Sequence, residues 1–146
     1  MKEYIKYLNY LLRHKWYVMI ECFKYGLIWR GLTHDLSKFF PSEFIPFAKN
    51  FSDKIKNDTF QSARLSHHMK NKHHWQHWVL SNEEMREPYI TEMICDWAGA
   101  KRALSHFSSR NEIDFKVKEW YEINKDRIQL SREIKKRIES ILDSRV

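Results

Sequence analysis

No Asn-Gly or Asp-Gly pair occurs anywhere in this chain, and only three glycines and three prolines interrupt it, so the turn chemistry that tight hairpins depend on is missing. Apolar residues recur instead at three- and four-residue steps. Tyr4, Tyr7, Leu8, Leu11 and Leu12 lead into Tyr17–Phe23 and predict a long first helix ending near Gly26. A short helix is expected over His34–Phe39, and Pro41 fits the first turn of another running through Phe44, Ile45 and Phe47. The polar segment from Asn50 to Asp58 reads as a loop. Phe60, Ala63, Arg64 and His67 then share one face of a further helix. The run His73-His74-Trp75-Gln76-His77-Trp78 marks a helix end and the start of another. Ser81 with Glu84 matches a capping box, and Pro88 opens a helix over Tyr89–Leu104 with Met93, Trp97 and Ala100 as its apolar stripe. Phe115, Trp120, Tyr121, Ile128, Ile134, Ile138 and Ile141 fit two amphipathic packing helices between residues 111 and 143. The fold class that follows is all-α, a compact bundle of about six to eight helices forming a single domain over residues 1–146.

A hydrophobic content of 42%, with 15% aromatic residues, is enough for a real core in a chain of 146 residues. The net charge of +7 favours anionic partners such as nucleotides, nucleic acid or acidic lipid without choosing among them. Cys22 and Cys95 form no C-x-x-C pair, which fits buried free thiols in a reducing cytoplasm. The chain opens without the features of a signal peptide, and the apolar stretch Trp16–Trp29 is broken by Glu21 and Lys24. A cytoplasmic protein without a membrane partner is expected.

Chemistry concentrates at His34-Asp35-Leu36-Ser37-Lys38. On a helix His34 and Lys38 share a face while Asp35 projects about 100° away, so an ion at the helix edge meets His34 and Asp35 and leaves the Lys38 ammonium to an anionic substrate. His14 lies close to the apolar stripe of the first helix, and His67 points where its core-facing neighbours point. Glu92 and Asp96 stand one turn apart on the border of a later stripe, with Gly99 leaving room for close approach. A carboxylate in that position must be paired or bound to metal, and Lys101 and Arg102 are the competing partners for Asp96. His73 and His77 form an i, i+4 pair, but no glutamate follows His73 as a zinc-protease helix requires. Trp75 and Trp78 have two readings, core packing or a stacking surface for a base.

His14, nineteen residues, His34-Asp35-x-x-Lys38 and a late Asp96 together resemble the HD-domain superfamily of metal-dependent phosphohydrolases, although Ser37 stands where a glycine is frequent. The runs HDLSKF, NKHHWxxW and EMICDW also resemble a small family encoded by bacteria and their phages, over roughly residues 4–104. The resemblance implies an HD-like helical bundle with its metal-site core in that span. It implies a metal held by His14, His34, Asp35 and Asp96. In two-metal members two further histidines join, here His67 and one of His73 or His74, with Asp35 bridging.

Imidazoles mixed with carboxylates suit one or two ions of manganese, iron, cobalt, nickel or zinc. The expected activity is hydrolysis of a nucleotide or other small phosphate ester by metal-activated water. Lys38, Arg64 and Trp75 would bind substrate, while Glu92 takes the proton from water or orients a ligating histidine. Two alternatives stand beside it: an HD-type diiron oxygenase, and a basic helical module binding nucleic acid in which the histidines are structural.

Overall fold

The computed structural model describes residues 1–53, 57–105 and 117–145. Eight α-helices and no strand are present among them: α1 Lys2–Lys24, α2 Ile28–Thr33, α3 Pro41–Asp53, α4 Asp58–Lys70, α5 Trp75–Ser81, α6 Tyr89–Ser105, α7 Val117–Asn124 and α8 Arg132–Asp143. Short 3-10 turns cover Leu36–Phe39 and Lys125–Arg127. The chain is therefore an all-α bundle. No helix among the described residues is long and apolar enough to cross a membrane.

The scaffold of the bundle is the pairing of α1 with α6. His14 meets Asp96, Val18 meets Gly99 and Glu21 meets Arg102, so the two helices run parallel and in register. Gly99 makes the approach possible: a Cβ there would sit 2.4 Å from Val18 Cγ2 and 2.7 Å from the Val18 amide nitrogen. Gly31 plays the same part for α2, which lies flush on Met19 and Cys22 of α1. On one side α3 packs Phe44, Phe47 and Phe51 around Tyr7 of α1. On the other, α7 and α8 bury Tyr121, Ile134, Ile138 and Ile141 with Trp78, Met93 and Ile94. Cys22 and Cys95 are both free and buried where α1 faces α6.

Several local expectations are corrected. His34 and Asp35 are not helical: α2 ends at Thr33, and Asp35 takes a left-handed conformation, φ 54° and ψ 25°, which breaks the hydrogen-bond ladder before the 3-10 turn. Lys15 fixes that end of α2, its Nζ donating to the carbonyls of Gly31, Leu32 and His34 at 2.9, 2.6 and 2.9 Å. The expected loop from Asn50 is helical through Asp53, and Asn57 caps α4 by accepting from the Phe60 amide; residues 54–56 lie outside the described residues. Ser81 is no N-cap. It ends α5 and donates back to the His77 carbonyl, and Asn82 supplies the left-handed cap that stops the helix. On α6 the narrow stripe widens until every residue from Ile90 to Asp96 is buried, while Trp97 and Ala100 are only half-buried, because α6 is covered from several sides. Phe115 and His106 lie outside the described residues.

Candidate metal centre

Three segments first converge on Asp35. The middle of α1 brings His14, the turn after α2 brings His34 and Asp35, and α6 brings Asp96, all four buried. His14 Nε2 stands 3.3 Å from Asp35 Oδ2 and 3.2 Å from Asp96 Oδ1. His34 Nε2 stands 3.5 and 3.2 Å from the same two oxygens. The left-handed Asp35 backbone allows adjacent residues to aim both side chains inward, which a helix would not.

A second group forms on the other carboxylate oxygen. His67 reaches in from α4 and His73 from the turn before α5, and both Nε2 atoms lie 3.3 Å from Asp35 Oδ1. His74, the N-cap residue of α5, closes the group with its Nε2 2.9 Å from His67 Nε2. Sequence spacing left His73 and His74 as alternatives; both are in place. Trp78 anchors their turn by donating its indole N–H to the Lys72 carbonyl at 2.8 Å.

Behind the imidazoles stand two carboxylates. Glu92 Oε1 lies 3.1 Å from His34 Nδ1 and 3.6 Å from His73 Nδ1, while Oε2 accepts from Arg30 Nη1 at 2.8 Å. The Arg30 guanidinium is in turn stacked over the Tyr89 ring, 4.3 Å from its centre. Glu43 Oε2 lies 2.8 Å from His67 Nδ1 and accepts from Ser37 Oγ at 2.9 Å. Glu43 and Arg30 escaped the sequence reading. A faint signal existed for the first, since Glu43 shares a face of α3 with the apolar Phe47, where a lone acid needs a partner.

The electrostatics follow from burial against charge. Burial favours neutral Asp35, but the Lys38 ammonium and the His34 imidazolium outweigh it and hold Asp35 well below the usual carboxylate range. Asp96 is likewise held down, against its burial, by its hydrogen bonds to His14 and His34. Burial alone would lower His34, yet Asp35, Asp96 and Glu92 raise it to about 10. His73 and His74 are pushed down by burial and by neighbouring histidines, so their nitrogen lone pairs stay available.

Two expected substrate contacts, Lys38 and Arg64, are corrected. Lys38 is not free for substrate: its Nζ donates to Asp35 Oδ2 at 2.6 Å, because the 3-10 turn carries it back over the carboxylate. Arg64 is exposed, at the solvent edge of the α4 face that carries Phe60 and His67. Both oxygens of Glu92 are engaged, one by His34 and the other by Arg30. Trp75 is half-buried against the core formed with α6 and α8. His77 bonds the Met69 carbonyl at 2.9 Å and forms no pair with His73, and Arg102 serves Glu21 rather than Asp96.

Two ion-sized ligand groups result, His14/His34/Asp35/Asp96 and Asp35/His67/His73/His74, each with one donor atom per residue within 4.8 Å of the others. A third combination, His34/His73/Glu92, uses the outer carboxylate. The donor chemistry fits a transition metal on one further observation. Asp35 Oδ1 and His73 Nε2 are buried without a hydrogen-bond partner although they stand 3.3 Å apart, so each is a donor atom that no protein hydrogen bond satisfies.

A family model described as a family of unknown function (DUF5662) matches residues 3–144. No curated protein and no solved structure matches the chain.

Proposed function

The chain belongs to the DUF5662 family of unknown function, and from the site it carries we propose that it is an HD-type, two-metal phosphohydrolase acting on a nucleotide or another small phosphate ester. One observation carries this reading: the two oxygens of Asp35 are divided between two ligand groups, Oδ2 toward His14 and His34 and Oδ1 toward His67 and His73. A single carboxylate shared in this way is what a bridging ligand requires.

The protein's own groups have separable tasks. Asp35, Asp96 and the five imidazoles would hold the ions, while Glu92 orients His34 and Glu43 orients His67 through their second nitrogens. Lys38 fixes the Asp35 carboxylate and offsets part of its charge. Divalent ions bound there would lower the pKa of a water and polarise a phosphoryl oxygen. Asp35, Asp96, Glu92 and Glu43 outnumber the cations Lys38, Arg30 and the His34 imidazolium, so this metal-free set is net negative; two divalent ions reverse that sign and favour an anionic substrate.

An oxygenase of the same superfamily is the second reading, favoured by the excess of imidazole over carboxylate in the set, which suits iron. In the nucleic-acid-module reading the buried acids and imidazoles have no task beyond structure. The deciding experiment is metal analysis of the purified protein followed by assays with that metal. Phosphate release from nucleotides, lost in Asp35→Asn, supports the hydrolase. Oxygen uptake by an iron form without phosphate release replaces it with the oxygenase, and absence of metal after reconstitution overturns both.

A further inference from the structure

We propose that the outer face of α1 and α2 docks this protein onto an anionic lipid surface. Ile5, Leu8, Leu12, Trp16 and Phe23 all point outward from α1, with Leu12 51% and Trp16 57% exposed. At about 100° per residue they fall within an arc of about 80°, a stripe running nearly the whole helix. Met19 lies in the same arc, and Gly31 packs against it, so α2 extends this surface and adds Trp29, 78% exposed. A contiguous apolar strip of this kind on a folded chain marks a contact surface.

Charge selects the occupant. Lys2, Lys6, Arg13 and Lys24 fall together along one edge of the stripe by the same angular count. Residues 2–33 carry six basic and two acidic side chains, and of the bases Lys15 is taken up by the carbonyls at the end of α2 and Arg30 by Glu92, which leaves the four along this edge. Of the acids, Glu21 is buried under Lys24, Arg102 and Arg145, and Glu3 is half-buried. The face is thus apolar and cationic with no fully exposed acid. A second copy would present the same cations and no complement to them. Lipid headgroups with negative charge match the basic edge, while the tryptophans and leucines enter the boundary beneath, the arrangement of an in-plane amphipathic helix. Association of this kind lies on the surface and needs no membrane-crossing helix.

The test is co-sedimentation of the full chain with vesicles of phosphatidylcholine alone and of phosphatidylcholine mixed with phosphatidylglycerol, at low and high salt. Binding is expected to the mixed vesicles, weakened by salt. Arg13→Gln should reduce it about fivefold, and Trp16→Glu or Leu12→Glu should abolish it with helical content and metal content unchanged, since both side chains are exposed. Equal partition of wild type and Trp16→Glu overturns the proposal. So does a dimer that Trp16→Glu converts to monomer in the absence of any vesicle binding, which would assign the face to a second copy.

Discussion

Glu92 Oε1 lies 3.1 Å from His34 Nδ1, and the same oxygen is the nearest carboxylate to His73 Nδ1 at 3.6 Å. One buried acid therefore steadies His34 of the first ligand group and lies beside His73 of the second, with Arg30 holding its other oxygen. Glu92→Gln keeps the shape but replaces the ionic acceptor. Metal affinity should fall about 10- to 100-fold, read by competition with a chromophoric chelator, while the circular dichroism spectrum stays unchanged. An affinity equal to that of the wild type would remove Glu92 from any positioning role.

The two groups share Asp35 and nothing else, which separates the variants by stoichiometry. Asp96→Asn touches only the group with His14 and His34, and His67→Ala only the group with His73 and His74. Each should retain about one ion where the wild type holds about two, and Asp35→Asn should hold neither firmly. Elemental analysis after gel filtration reads the difference. Identical metal content in Asp96→Asn and Asp35→Asn would mean that Asp35 is not the bridge.

Much of this was legible in the residues, and the limits have physical causes. Periodicity and the want of turn residues sufficed for an all-helical bundle, and Gly26, Pro41 and Pro88 marked ends and starts correctly because their backbone constraints are local. His14, Asp96 and His67 stand out in the sequence as polar residues on or beside apolar faces, the resemblance groups them as ligands, and the structure places each in a ligand-sized group. Asp35 is legible as a residue but not as a conformation: its left-handed turn is held by Lys15, which reaches from α1 to the neighbouring His34 carbonyl, together with the local Lys38 contact three residues on. Ser81–Glu84 failed because the same four-residue pattern serves equally well after a helix end. Glu43 and Arg30 required knowing which helices meet.

His34 makes the metal-free protein sensitive to pH. Its imidazole is raised to about 10, from an unfolded value of about 6.5. A base raised by folding contributes stability that is whole below its unfolded pKa and is lost as pH climbs through the folded one. The chelated protein should therefore melt at progressively lower temperature from about pH 6.5 to about pH 10. Metal displaces that proton, so the loaded protein should show a flatter profile and an affinity rising up to about tenfold per pH unit over the same window. Melting curves with and without chelator check both arms; a flat profile for the chelated protein would mean that His34 is not held as an imidazolium.

Gly99 offers a test of how tightly the centre depends on the α1–α6 contact. An alanine Cβ there would meet not only Val18 Cγ2 but the Val18 amide nitrogen at 2.7 Å and Cα at 3.0 Å, and backbone cannot rotate away as a side chain can. Helices α1 and α6 must move apart, carrying His14 from Asp96 one turn away. Overpacking of this type costs about 1–3 kcal/mol, so Gly99→Ala should lower the melting temperature by about 2–12 °C for a domain of this size. Its second consequence is specific: the His14/Asp96 group should lose affinity more than the His67/His73/His74 group, which α4 and α5 hold independently of this contact. Sequential metal titration of the folded variant distinguishes the two. Equal weakening of both steps would show that the substitution loosens the bundle as a whole rather than opening it along α1 and α6.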